Sequence, residues 1–186
     1  QFDTFGVEAR YRRDWGGGEQ PHVFTVGMQY FNTDSPRTDV RGASADATQG
    51  ILRSAAQRDT EYLPVFVENL FRLGRLTLTP GVRLESYQQR VQTRFLDPQP
   101  ASRQREDDRT VALLGLGSSW DFTADTRMYL NVSESYRPVV FTEAVPNSTT
   151  TQVAADLEEG SAWQSDLGLR TQHGSGLILD ASVFYM

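Results

Sequence analysis

The sequence predicts an all-β fold, an antiparallel up-and-down transmembrane β-barrel with short periplasmic turns and long extracellular loops, of which about eight strands are present. Three observations carry this reading. Apolar and polar residues alternate through successive segments, as half-buried strands require. Short turns and long polar stretches take turns as connections along the whole chain, which is how a barrel of meandering hairpins is built. No run of about 18 apolar residues occurs, so no helix spans a membrane; a 38% hydrophobic content is no obstacle to a barrel, whose strands are apolar on one face only.

The first strand sets Phe5, Val7, Ala9 and Tyr11 on one face and Glu8, Arg10 and Arg12 on the other, before a turn at Gly16, Gly17, Gly18 and Pro21. The second sets Phe24, Val26, Met28 and Tyr30 against Thr25, Gly27 and Gln29 and stops near Asn32. From there to about Asp59 the chain reads as a long polar loop. A third strand, Tyr62 to Leu73, alternates too poorly to orient: Phe66, Glu68, Leu70 and Arg72 share one face, Val65, Val67, Asn69 and Phe71 the other.

After Gly74 and Arg75 comes the clearest strand, with Leu76, Leu78, Pro80, Val82 and Leu84 opposite Thr77, Thr79, Gly81, Arg83 and Glu85. Asp97 to Asp108 reads as a second polar loop. Strand five lines one face with Ala112, Leu114, Leu116 and Trp120, strand six with Met128, Leu130 and Val132. A third loop runs from Pro138 to about Leu157. Strand seven carries Trp163, Leu167 and Leu169 opposite Gln164, Asp166, Gly168 and Arg170, and strand eight carries Leu177, Leu179, Ala181, Val183 and Tyr185. Tyr11, Tyr30, Trp120, Trp163 and Tyr185 fall near strand ends, where an interfacial aromatic girdle belongs.

Composition narrows function. Cysteine is absent, so there is no disulfide framework, thiolate metal site or cysteine nucleophile. A net charge of -6 argues against a nucleic-acid partner. His22 and His173, the two histidines, flank short turns and read as solvated, which leaves a Ser-His-Asp relay or a histidine metal site without its parts. Asp107, Asp108, Glu158 and Glu159 read as solvated charge at loop margins. No cofactor is expected, and no enzymatic activity.

Several segments resemble the barrel of TonB-dependent outer-membrane receptors. Leu76-Thr77-Leu78-Thr79-Pro80-Gly81-Val82-Arg83-Leu84-Glu85 is similar to a barrel strand of that family, and Phe66-Val67-Glu68-Asn69 to the strand that pairs with it. Ser133-Glu134-Ser135-Tyr136-Arg137-Pro138 resembles the end of a further strand. Leu157-Glu158-Glu159-Gly160 with Asp166-Leu167-Gly168-Leu169-Arg170 resembles the start of the next hairpin, which Ser182-Val183-Phe184-Tyr185 completes. The match covers Tyr62 to Met186, with Gln1 to Asp59 compatible. The resemblance leans to the ferric-dicitrate or ferric-siderophore branch.

It implies a barrel of about 22 strands closed by a plug domain, in the outer membrane of a Gram-negative bacterium, importing a ferric chelate with drive from the TonB complex. Residues 1–186 then form a partial barrel domain without its plug, a segment not expected to transport alone because an open sheet leaves unpaired edges. Outer-membrane lipid and lipopolysaccharide are the remaining expected partners. In an import barrel, arginines attract anionic chelates by charge-assisted pairing; the candidates are Arg37, Arg41, Arg103, Arg105 and Arg137. Arg83 and Glu85, two residues apart on the polar face, read as a structural charge ladder. A small non-transporting outer-membrane barrel, structural or adhesive, and a soluble β-sandwich binding module stand as alternatives.

Overall fold

Alternation of period two forces each strand to show one chemistry per face, and an antiparallel register then propagates that choice to the neighbouring strand. The structure, a computed structural model, describes residues 2–18, 20–97, 99–139, 159–172, 174 and 176–186, the side chains of 99–103 excepted. Among these residues there are nine strands and no helix: β1 Asp3–Trp15, β2 His22–Asp34, β3 Arg37–Gly42, β4 Gly50–Leu73, β5 Leu76–Leu96, β6 Gln99–Asp121, β7 Thr126–Arg137, β8 Gly160–Gln172 and β9 Ile178–Tyr185. They form one sheet in the order β1-β2-β4-β5-β6-β7-β8-β9, antiparallel at every pairing, with β3 folded back on the outer half of β4. The eight expected strands are this path.

Two of the expected loops are largely strand. Residues 37–42 and 50–56 pair with each other, and from Ser54 onward β4 also pairs with β5. The ladder of β5 and β6 continues to Leu96 and Gln99, so the stretch read as a loop from Asp97 to Asp108 is mostly the first part of β6. Both faces of these outer extensions carry polar residues, with Val40, Ile51 and Leu52 scattered among them, so no clean alternation marks them in the sequence. The loop expected from Pro138 to Leu157 lies, after Val139, outside the described residues, as does His173. At the opposite end the connections are tight. Gly16, Gly18, Gly74 and Gly176 there take φ between 67° and 118°, the left-handed region that favours glycine.

The two faces differ sharply. One carries Val7 and Tyr11, Val26 and Met28, Val65 and Val67, Val82 and Leu84, then Leu114 and Leu116, Leu130, Leu167 and Val183, joined strand to strand by the register. These side chains stay open: Val7 is 55% exposed, Leu114 53% and Val183 76%. The other face holds the buried residues Val23, Thr25, Thr33, Tyr87, Val91 and Thr93, so it is the concave side of a curled sheet. The register also orients β4. Leu63, Val65, Val67, Phe71 and Leu73 point outward, and Phe66, Glu68, Leu70 and Arg72 inward.

The poor alternation of β4 has a cause. Phe66 faces the concave side because its ring lies over Gly27, its register partner, and Tyr129 lies over Gly168 in the same way. A Cβ at Gly27 would sit 2.6 Å from Cζ of Phe66, and one at Gly168 2.7 Å from Cε1 of Tyr129. An aromatic ring covering a cross-strand glycine protects backbone that would otherwise be bare and pins the register. Gly27→Ala in the full-length protein is therefore expected to lower stability by about 1–3 kcal/mol through overpacking. Gly115→Ala, whose Cβ would meet only Ser133 at 3.9 Å, is expected to have little effect. Urea unfolding of the two variants side by side checks this.

Candidate functional site

Beyond the apolar band, the concave face of the long hairpins collects charge. The register places Arg58 on β4, Val91 on β5 and Arg105 on β6 in one row. In the next row outward, Arg37 on β3 pairs with Ala56, which pairs with Thr93, and the backbone of Arg103 pairs with Thr93 from the other side. The side chain of Arg103 is not among those described. Burial, and then the nearby Arg37 charge, pull the Arg58 guanidinium below its ordinary value. Cations held this close favour an anion between them.

The five candidate arginines thus separate. Arg37 and Arg105 share the basic face, with Arg105 half-buried and Arg37 exposed on a strand rather than in a loop. Arg41 lies further along β3, and Arg137 is the exposed last residue of β7, opposite Gly160. Arg58 escapes a reading of sequence alone because it falls at the margin of a polar stretch without alternation. Its inward direction emerges only from pairing with β5.

A second polar cluster lies where β6 and β7 part. Their ladder runs from Asp121↔Arg127 to Gly115↔Ser133 and no further, although β6 continues with β5 and β7 with β8. Side chains bridge the gap. The Tyr87 hydroxyl lies 2.6 Å from that of Tyr136 and donates to Glu159 at 2.8 Å, and Arg109 Nε donates to the same carboxylate oxygen at 2.9 Å. Tyr87 is only 4% exposed. Glu159, expected to be solvated, is instead the acceptor at the centre of this clasp. Asp107 and Asp108, expected at a loop margin, lie within β6, on opposite faces.

Other charges pair locally. Arg83 bonds Glu85 at 2.7 Å and donates to Tyr62 on β4 at 2.9 Å, the structural ladder expected of this pair. At the tight-turn end a hollow on the concave face is lined by Asp121, Arg127, Tyr129, Arg170 and Asp180. Its arginines are already paired, Arg127 with Asp121 and Arg170 with Asp180, each at 2.5 Å. His22 is not a solvated turn residue. It opens β2, its Nδ1 accepts the Arg72 backbone N–H at 3.0 Å, and its ring packs on Trp15 and Phe71. Among the described residues, no three His, Asp or Glu are grouped to hold a metal ion.

The clasp makes a pH prediction. Burial pushes the Glu159 carboxyl up, but the hydrogen bonds from Tyr87, Tyr136 and Arg109 outweigh it and leave it below the usual carboxylate value of 4.5. Burial first, then its bonds to Tyr136 and Glu159, push the Tyr87 phenol above its usual 10.0. A lowered carboxyl stabilises above about pH 4.5 and loses that contribution as pH falls, while a raised phenol stabilises below about pH 10 and loses it as pH rises. Tyr87→Phe is expected to cost about 1–2 kcal/mol, evenly from about pH 5 to about pH 9. The gap to the unaltered protein narrows on further acidification, as denaturant titrations at several pH values would show.

Comparison with known proteins places this geometry. No curated protein sequence matches the chain. The unliganded ferric citrate transporter FecA superposes with a TM-score of 0.82 at 20% identity, over 98% of this chain and 27% of that one. FauA, the alcaligin outer-membrane receptor of Bordetella pertussis, gives 0.71 at 16% identity, over 98% of this chain and 28% of its own. PiuA, a siderophore receptor of Acinetobacter baumannii, gives 0.73 at 16% identity, over 98% and 31%. The chain thus spans less than a third of each of these proteins, and at such identities the likeness is one of fold. The profile of the TonB dependent receptor-like β-barrel family matches residues 1–186. By that match over its whole length, the chain belongs to the TonB-dependent receptor β-barrel family.

Proposed function

We propose that this chain is part of the wall of an outer-membrane receptor that imports an anionic ferric chelate, such as ferric citrate or a carboxylate siderophore. The observation that carries the reading is the pairing of an exposed apolar convex band with a basic concave face beyond it. From Leu76 to Leu84 on β5, and from Leu73 to Leu63 on β4, the band has about the height a tilted strand needs to cross the hydrocarbon core. Asp59, Glu61, Arg90, Glu106 and Asp108 succeed it on the same outward face, where headgroups and water begin. The long hairpins are then extracellular and the tight turns periplasmic.

In this placement Arg37, Arg58 and Arg105 line the mouth of the lumen, with Arg41, Arg103 and Arg137 on the surrounding hairpins and strand end. Guanidinium groups bind carboxylates through paired, charge-assisted bonds and lose little strength when partly shielded from water. Their role is capture, with no bond made or broken. A plug domain outside this chain couples import to the TonB complex. FecA, whose name describes a ferric citrate transporter, supports an anionic cargo.

The test uses the full-length receptor in cells. Arg58→Ala and Arg105→Ala are each expected to weaken ferric citrate binding about tenfold, the scale of one charge-assisted bond of about 1.5 kcal/mol. Binding of an uncharged ferric hydroxamate should change little. Equal losses for both chelates, or none for citrate, would overturn the reading.

A further inference from the structure

We infer that Arg13 forms a binding site for the phosphate of an inner-leaflet phospholipid, on the outside of the barrel at its tight-turn end. The inference rests on the membrane placement just proposed. Arg13 faces outward, since it pairs with Phe24 in a ladder where Tyr11 pairs with Val26 and Trp15 with His22. Its neighbours on that face, along β1 from Trp15 to Phe5, β2 from His22 to Tyr30 and β4 from Leu73 to Leu63, are apolar, aromatic or neutral polar. The same holds along β5 from Leu76 to Leu84, β6 from Trp120 to Ala112 and β7 from Met128 to Val132. Glu134, past the end of the β6–β7 ladder, follows Val132 on the outward side of β7 opposite Trp163, well away from the tight turns.

Arg13 is thus the outward-facing charge that lies at the tight-turn rim of the described band. It makes no hydrogen bond or ion pair with another described residue, whereas Arg10 bonds Glu8 and Arg12 contacts Asp14 on the opposite face. Depth makes the charge tolerable, because a lipid-facing arginine is costly at the bilayer midplane and nearly free near the interface. Arg13 lies just short of Trp15, the end of β1. With a rise of about 3.3 Å per residue and a tilt of about 45°, that is about 5 Å inside the rim. A long arginine stem spans such a distance, so the guanidinium reaches the headgroup layer while its methylenes stay among apolar neighbours.

The surroundings fit a phosphate. Trp15 and Tyr11 flank Arg13 on the same outward row, 40% and 56% exposed, as rings at a headgroup boundary are. The Trp15 N–H is already given to Asn69 Oδ1 at 2.9 Å, and His22 Nδ1 already accepts the Arg72 backbone N–H. The aromatic wall is therefore fixed, and the guanidinium is the group left to meet an anion. A phosphate diester offers two oxygens to its two parallel N–H groups.

The experiment compares the full-length receptor with Arg13→Leu and Arg13→Lys, unfolded by urea in phosphatidylethanolamine–phosphatidylglycerol vesicles and in an uncharged maltoside detergent. Phosphatidylglycerol retained on the purified protein is read by native mass spectrometry. Arg13→Leu should be less stable than the unaltered protein in vesicles only, and should hold phosphatidylglycerol about fivefold more weakly, the effect of one arginine at an anionic surface. Arg13→Lys should restore most of both. Stabilisation by leucine in both media would show an unliganded charge, and equal destabilisation in both would show a protein partner elsewhere in the receptor; either result overturns the inference. Failure of the unaltered receptor to insert into vesicles would instead sink the membrane placement.

Discussion

Every face in this structure follows from one antiparallel register carried from strand to strand across the band. Because side chains alternate with period two, a single-residue slip between any two strands would turn a whole strand's apolar set toward the concave side. Pairing from β1 to β6 holds this register across the band, and the rings of Phe66 over Gly27 and Tyr129 over Gly168 fix it where a glycine leaves the backbone open. The apolar belt, the arginines gathered on the concave face and the local ion pairs are consequences of that register. None requires a core in the usual sense.

For this reason the fold is legible in the sequence along the band and obscure beyond it. Leu76 to Glu85 shows its two faces without help, because lipid on one side and polar surroundings on the other impose opposite chemistry on alternate residues. Past Leu84 and Leu63 the outward face also turns polar, while the concave face mixes arginines with the buried Tyr87 and Val91. Alternation then vanishes although the ladder continues, and β3, the outer half of β4 and the first part of β6 read as loops. The strand that resists orientation, β4, carries Phe66 and Leu70 inward against Gly27 and Val23, contacts that no local pattern announces.

The candidate site is legible in part for the same reason. Arginines stand out by type, and two of them, Arg37 and Arg105, do share a face. Arg58 belongs with them only by virtue of its pairing with Val91. Tyr136 and Glu159 each sit within a segment resembling the family, yet the bond from Tyr87 to Glu159 spans 72 residues and is invisible to any window of sequence. Side-chain chemistry can be read; convergence cannot.

The short joint between β6 and β7 bears on how such a wall is assembled. Their ladder is seven residue pairs long, against twenty between β5 and β6. The strands up to β6 and those from β7 onward are thus two panels with a narrow seam between them. Their joint starts at the tight turn and, among the described residues, is held in its outer half by the bonds of Tyr87 and Arg109 to Tyr136 and Glu159. A force that breaks this clasp would open the wall there from its outer end.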